Sequence, residues 1–248
     1  MSPRAAARQP HAVLDLASRR LKAAKIERLL DLGARAGRLA LLEIGTGSGG
    51  IAHYFATHDS LLCDVVAVDV VDQRKLHEGY VFHQVEDTCL PFPDASFDVV
   101  ITNHVIEHVG GLDAQLHHLS EVHRVMREDA IAYLAVPNRW MLVEPHFKLA
   151  FLSWLPRALR SPYVRLMRRG SHYDCEPLPL RTLESLLGRA CFTYQNLCVR
   201  ALRETLTLEG GQGFVATLAA QLPDAVLDRL SPIIPTLIYR LARDPKRE

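Results

Sequence analysis

Residues able to do chemistry fall in three places. Gly45-Thr46-Gly47-Ser48-Gly49-Gly50 follows the apolar run Leu41-Leu42-Glu43-Ile44. Glycines allow a tight turn and let a ligand approach the backbone closely. If a helix follows, its first N–H groups attract a carboxylate or phosphate. Asp69 lies about 20 residues further on, where an acid that binds a ribose belongs. His104, Glu107 and His108 have i, i+3, i+4 spacing, which on a helix places them on one face. Imidazoles titrate near neutral pH and also bind divalent metals. His146 and His172 are further candidates for a proton acceptor. The loop by itself leaves two nucleotide cofactors open, because Gly45-x-Gly47-x-x-Gly50 also satisfies the dinucleotide fingerprint.

The elements that must position these groups alternate along the chain. Short apolar runs predict strands at Ala40–Ile44, Val65–Asp69, Val99–Thr102 and Ile131–Val136. Helices are expected at Gly49–Thr57, near Arg74 and at Leu112–Met126. An amphipathic helix over His11–Leu32 precedes them, with Leu14, Leu21, Ile26, Leu29 and Leu30 at near-helical spacing and Gly33 as its stop. A helix at Leu180–Ala190, a strand at Tyr194–Ala201 and a last strand near Leu237–Ala242 complete the series. The alternation predicts a doubly wound α/β sheet.

One segment breaks the rhythm. Between Glu144 and Asp174 no acidic residue occurs, while Lys148, Arg157, Arg160, Arg165, Arg168 and Arg169 alternate with Phe147, Phe151, Trp154 and Tyr163. Two readings fit it. One is a lid with an apolar underside and a cationic outer face, able to hold an anionic acceptor or rest on an anionic membrane. The other is a solvated cationic face over a core stripe. A net charge of +1 over 248 residues argues against nucleic acid as partner. The five cysteines are scattered and odd in number, so neither a disulfide framework nor a zinc site is expected, and a cytoplasmic setting fits. No apolar stretch is long enough to span a bilayer.

A family resemblance decides between the cofactors. Leu41–Gly50 resembles the first motif of class I S-adenosylmethionine (SAM)-dependent methyltransferases, and Val65–Asp69 resembles the second. Val85–Val100, with its Leu90-Pro91-Phe92-Pro93-Asp94 core, is similar to the ubiquinone/menaquinone-biosynthesis-like branch, the type 11 methyltransferases. His104–Val109 and Glu121–Met126 continue the likeness, which covers about residues 38–140.

The resemblance implies a Rossmann-like, mostly parallel seven-stranded sheet over 1–248, with an N-terminal helix region at 1–36 and a substrate-lid insertion at 140–175. SAM is the implied cofactor and S-adenosylhomocysteine the product. Its implied contacts are Glu43, Gly45, Thr46, Gly47, Asp69, Val70, Asp87, Thr88, Asn103 and His104. Glu43 would lie near the amino group, Asp69 would bind the ribose hydroxyls, Val70 would pack on adenine and Asp87 would meet the adenine amino group. His104, His108 and His146 are the catalytic candidates. Some relatives bind metal through Glu-x-x-Glu-His; here His104 replaces the first Glu, so no metal is expected. Asp94 and Asp98 are read as turn residues, and His53, His58, His117, His118 and His123 as helix-surface residues. The expected reaction is methyl transfer to a small-molecule, glycan or lipid-linked acceptor, at oxygen, with peripheral membrane contact at the inner face through 145–173. The alternatives are an NAD(P)-dependent dehydrogenase and a non-catalytic SAM-binding partner.

Overall fold

Strands β1 (Leu39–Ile44), β2 (Cys63–Asp69), β4 (Phe97–Asn103) and β5 (Met126–Pro137) are apolar on both sides, because helices cover both faces of the sheet they build. A computed structural model describes residues 14–209 and 221–245. Seven strands lie in the order β3-β2-β1-β4-β5-β9-β8, with β3 at Val81–Gln84, β8 at Phe192–Asn196 and β9 at Thr236–Arg243. Pairing is parallel from β3 through β5, and β9 runs antiparallel to both β5 and β8.

Successive strand residues serve opposite cores. Leu41, Val99, Ile101 and Tyr133 pack with α1 (Leu16–Leu30) and α2 (Gly50–Ala56). Leu42, Val100, Ala132 and Leu134 pack with α3 (Leu112–Val125) and, further along the chain, with the helix at Leu180–Arg189. Helix α1 starts at Asp15, whose carboxylate accepts from Ser18 N at 2.9 Å, and ends at Asp31 in the left-handed region. Asp31 thus takes the stop expected of Gly33. Leu21 is exposed, so the buried stripe is Ala23, Ile26, Leu29 and Leu30. Residues 11–13 of the expected helix lie outside the described residues.

Three other expectations change. No helix forms near Arg74; residues 71–80 wrap the glycine loop, where Lys75 N and Leu76 N both donate to Ser48 O. The Arg74 guanidinium stacks 3.9 Å from the Phe82 ring centre, tying this wrap to β3, a strand too polar to stand out in the sequence. The expected strand Tyr194–Ala201 is a strand only to Asn196. Asn196 Oδ1 then accepts from Cys198 N at 2.9 Å, and the chain turns into a helix at Cys198–Glu209.

Segment 140–175 leaves the sheet after β5. It contains a short hairpin, β6 (Val143–Glu144) with β7 (Leu149–Ala150), and helix α4 (Arg157–Leu166). Helix α5 (Leu180–Arg189), the helix of the second core, follows. Phe147, Leu149, Leu152, Val164, Tyr173 and Cys175 form a small core of their own. Beyond β8, helices α6 (Cys198–Glu209) and α7 (Asp224–Arg229) lead to β9. Among the described residues no helix is long and apolar enough to cross a membrane.

Candidate active site

The strand order reverses between β1 and β4, since β1 connects onward to β2 on one side and pairs with β4 on the other. In open α/β sheets the crevice beyond the carboxyl ends at such a point takes the ligand. Here a cleft of about 910 Å³ opens there. Glu43, Gly45, Thr46, Gly47, Asp69, Val70, Asp87, Thr88, Asn103 and His104 all line it, as do His108 and His146. All of these expected site residues therefore meet in one cleft.

The glycine loop is held by its surroundings. Gly45 has φ 80°, and a Cβ there would collide with the Val105 side chain. Gly49 also has φ 80°, and a Cβ would strike the Leu76 carbonyl. Gly47 N donates to Asp69 Oδ2 at 2.8 Å, so the acid at the end of β2 orders the loop as well as facing the cleft. Glu43 is buried, and its Oε2 accepts from Ala52 N at 3.0 Å. Burial raises its pKa well above the usual carboxylate range, opposed by the Ala52 hydrogen bond and reinforced by the charge of Asp69. A cationic amino group beside it would relieve that cost. On the cleft wall, Asn103 Oδ1 is buried with no hydrogen-bond partner among the described residues. Asp87 serves its own turn too, accepting from Cys89 N at 2.7 Å. Thr88 Oγ1 lies 2.7 Å from His117 Nδ1.

The histidine cluster differs in form from its expectation. His104 has φ 60° and ends the extended path of β4, and only Ile106–His108 is helical, as a single 3-10 turn. The i, i+3, i+4 face does not exist as such. Glu107 gathers the two imidazoles instead: His104 Nδ1 stands 3.3 Å and His108 Nε2 3.9 Å from Glu107 Oε1. Glu107 is fully buried, which works against its charge, but the His104 hydrogen bond and both imidazoles together lower its pKa. His146, from the β6–β7 turn, bonds Glu144 Oε1 at 2.8 Å, and its ring stands 5.6 Å from that of His108. Burial opposes the charged form of His146; the Glu144 hydrogen bond, with the charges of Glu144, Glu107 and Asp174, outweighs this and raises its pKa.

Other assignments are corrected. His172 is exposed, its Nδ1 3.0 Å from Ser161 Oγ, outside the cleft. His118 is not a surface residue: it is buried, lines the cleft and contacts Thr102 Oγ1 at 3.1 Å. Asp98 lies within β4, where it accepts from Ala40 N and pairs with Arg127. Sequence reasoning missed Arg19 and Lys22, which bring α1 to the cleft. Their i, i+3 spacing on that helix was the available signal.

These features define an α/β protein whose cleft lies at the switch point, where such sheets take a nucleotide-type cofactor. Residues 42–134 match the family model described as a methyltransferase domain. That match spans the glycine loop, Asp69 and the His104–His108 turn, so the cleft is lined by a stretch similar to a methyltransferase domain. No curated protein sequence matches the chain. Among solved structures it is similar to the YcgJ protein of Bacillus subtilis, at 17% identity and TM-score 0.53, over 89% of this chain and 98% of that one. It is also similar to the plantazolicin methyltransferase BpumL, crystallised with S-adenosylhomocysteine, at 17% identity and TM-score 0.55, over 92% and 85%. A third similar structure is the 1,6-didemethyltoxoflavin N1-methyltransferase of Burkholderia thailandensis, at 18% identity and TM-score 0.52, over 93% and 80%. At such identities the likeness is one of fold.

Proposed function

We propose that the protein transfers the SAM methyl group to an oxygen of a small-molecule, glycan or lipid-linked acceptor held beneath segment 140–175, which acts as a lid. One observation carries this reading. The cleft runs without a break from the glycine loop and Asp69 to His104, His108 and His146. The cofactor end and a polar, imidazole-lined end thus share one cavity. Methyl transfer is an in-line displacement: the acceptor oxygen bonds the methyl carbon, the sulfonium sulfur keeps the electron pair, and the oxygen's proton leaves to a base. The protein's work is alignment and reception of that proton. The three imidazoles support a hydroxyl acceptor, which needs such help more than a neutral amine.

The surface of 140–175 supports delivery from an anionic lipid surface. Leu142, Phe151, Trp154, Leu159, Leu166 and Met167 are exposed, and Arg165, Arg168 and Arg169 lie among them. This is more than the cationic outer face expected from sequence, because apolar side chains share it. Arg160, counted with that face, is buried against the Leu155 carbonyl at 3.0 Å. Mixed aromatic, aliphatic and basic surface suits the headgroup boundary.

Two measurements test the reading. Isotope-labelled SAM methyl, offered with phenols, sugar hydroxyls and amines, should give O-methyl resonances; N-methyl products alone would overturn the oxygen assignment. Wild-type protein should sediment with phosphatidylglycerol vesicles, and the Arg165→Glu, Arg168→Glu variant should bind them about thirtyfold or more weakly. Absence of wild-type sedimentation would remove the lipid surface from the proposal.

A further inference from the structure

The polar end of the cleft has a second feature. Two triads of metal-ligating side chains meet at the Cys175 sulfur: His108, Asp174 and Cys175, and Glu144, His146 and Cys175. In each, the ligand atoms lie within 4.8 Å of one another. They come from three stretches of chain: the turn after β4, the β6–β7 hairpin and the approach to α5.

The spacing within the first triad suits ligands of one ion. Cys175 Sγ stands 3.8 Å from His108 Nδ1 and 3.8 Å from Asp174 Oδ1. Around zinc, with Zn–S about 2.3 Å and Zn–N about 2.0–2.1 Å, sulfur and nitrogen ligands stand about 3.5 Å apart. Two imidazoles on one such ion have ring centres about 5 Å apart. The rings of His108 and His146 are 5.6 Å apart, at 78°.

The surroundings fit a cation as well. Glu107 and Glu144 are 0% and 1% exposed, and their side-chain partners are imidazoles and the Phe147 N–H. Glu107 Oε2 is buried with no hydrogen-bond partner among the described residues. A carboxylate also lies on the far side of each ligating ring, hydrogen-bonded at His146 and 3.9 Å away at His108. Glu107 faces His108 Nε2 while Nδ1 faces the sulfur, and Glu144 holds His146 Nδ1, leaving Nε2 as the ligating nitrogen. Carboxylates in that position orient metal-bound histidines and raise their basicity.

We propose that His108, His146, Asp174 and Cys175 hold one divalent cation of zinc's class, with Glu107 and Glu144 as the supporting carboxylates. A thiolate with imidazoles and one carboxylate selects such a borderline ion over magnesium or calcium. His108 and His146 also line the cleft, so the ion sits at its acceptor end. There it would bind an oxygen of the acceptor, and with His108 and His146 as ligands the acceptor's proton would pass to His104; that role rests on the methyl-transfer reading, whereas the site itself does not.

Metal-stripped full-length protein is titrated with Zn²⁺ and Co²⁺, and SAM affinity is measured in parallel. One equivalent should bind, and the cobalt form should show a sulfur-to-metal charge-transfer band and a tetrahedral visible spectrum. Cys175→Ser should abolish the charge-transfer band and weaken zinc binding more than tenfold. Glu144→Gln should weaken it about tenfold to a hundredfold, as loss of an outer carboxylate does. SAM affinity should change little in both variants, which also certifies that they fold. No stoichiometric metal on the wild-type protein, or a cobalt spectrum without the sulfur band, would overturn the site. Metal binding without SAM binding would sink the methyl-transfer reading and leave the site standing.

Discussion

Asp69 carries two duties at once. Its carboxylate holds the Gly47 N–H at 2.8 Å and the Val71 N–H at 3.3 Å, and the same side chain faces the cleft. Asp69→Ala should therefore weaken SAM about tenfold to a hundredfold, since it removes charge-assisted hydrogen bonds from loop and ligand together. Calorimetry checks this, and unchanged affinity would mean the ribose site is elsewhere. His118 bears on stability. Burial pushes its pKa down from 6.5 to about 4. Between those values the unfolded chain takes a proton that the folded protein refuses. Stability should thus fall as pH drops from 6.5 to about 4 and level off below, a loss of about 3 kcal/mol. Urea unfolding of His118→Gln should show a flatter dependence over that window; an identical profile would place the titration on another group.

Among the elements, the joint between segment 140–175 and the sheet matters most. Glu176 N donates to Glu107 O at 2.8 Å, and the Glu176 carboxylate meets Arg157 at 2.8 Å and Arg160 at 3.5 Å. The Arg157 pair is exposed and contributes little. Arg160 is buried, so removing its partner leaves a desolvated charge. Glu176→Ala should speed hydrogen exchange across 140–175 while β1, β4 and β5 keep their protection; a uniform loss would show that the segment and the sheet unfold as one. Strands β2, β4 and β5 were legible because each holds an unbroken apolar run, Val65–Val68, Val99–Ile101 and Ile131–Val136, and β1 because only Glu43 interrupts its run. Strand β3, Val81-Phe82-His83-Gln84, was not, because it is the edge strand and mostly exposed. The turn at Asn196 was missed because the apolar run Leu197-Cys198-Val199 reads equally well as strand or helix.

At the scale of the whole molecule, the sequence alone placed the residues expected to meet the cofactor at one end of the cleft. Glu43, the Gly45–Gly50 loop, Asp69 and Asp87 each sit at or just beyond the end of a strand, so local order along the chain already places them at the switch point. Spacing could not decide the acceptor half. The sequence shows no paired cysteines, and Cys175, 67 positions from His108, comes to 3.8 Å from it only in the fold. His118 looked like a surface residue until the helix phase of α3 turned it onto the sheet. Groups brought together by separate loops leave no periodic trace in a sequence. Their meeting depends on how segment 140–175 folds back over the carboxyl edge, and only tertiary packing decides that.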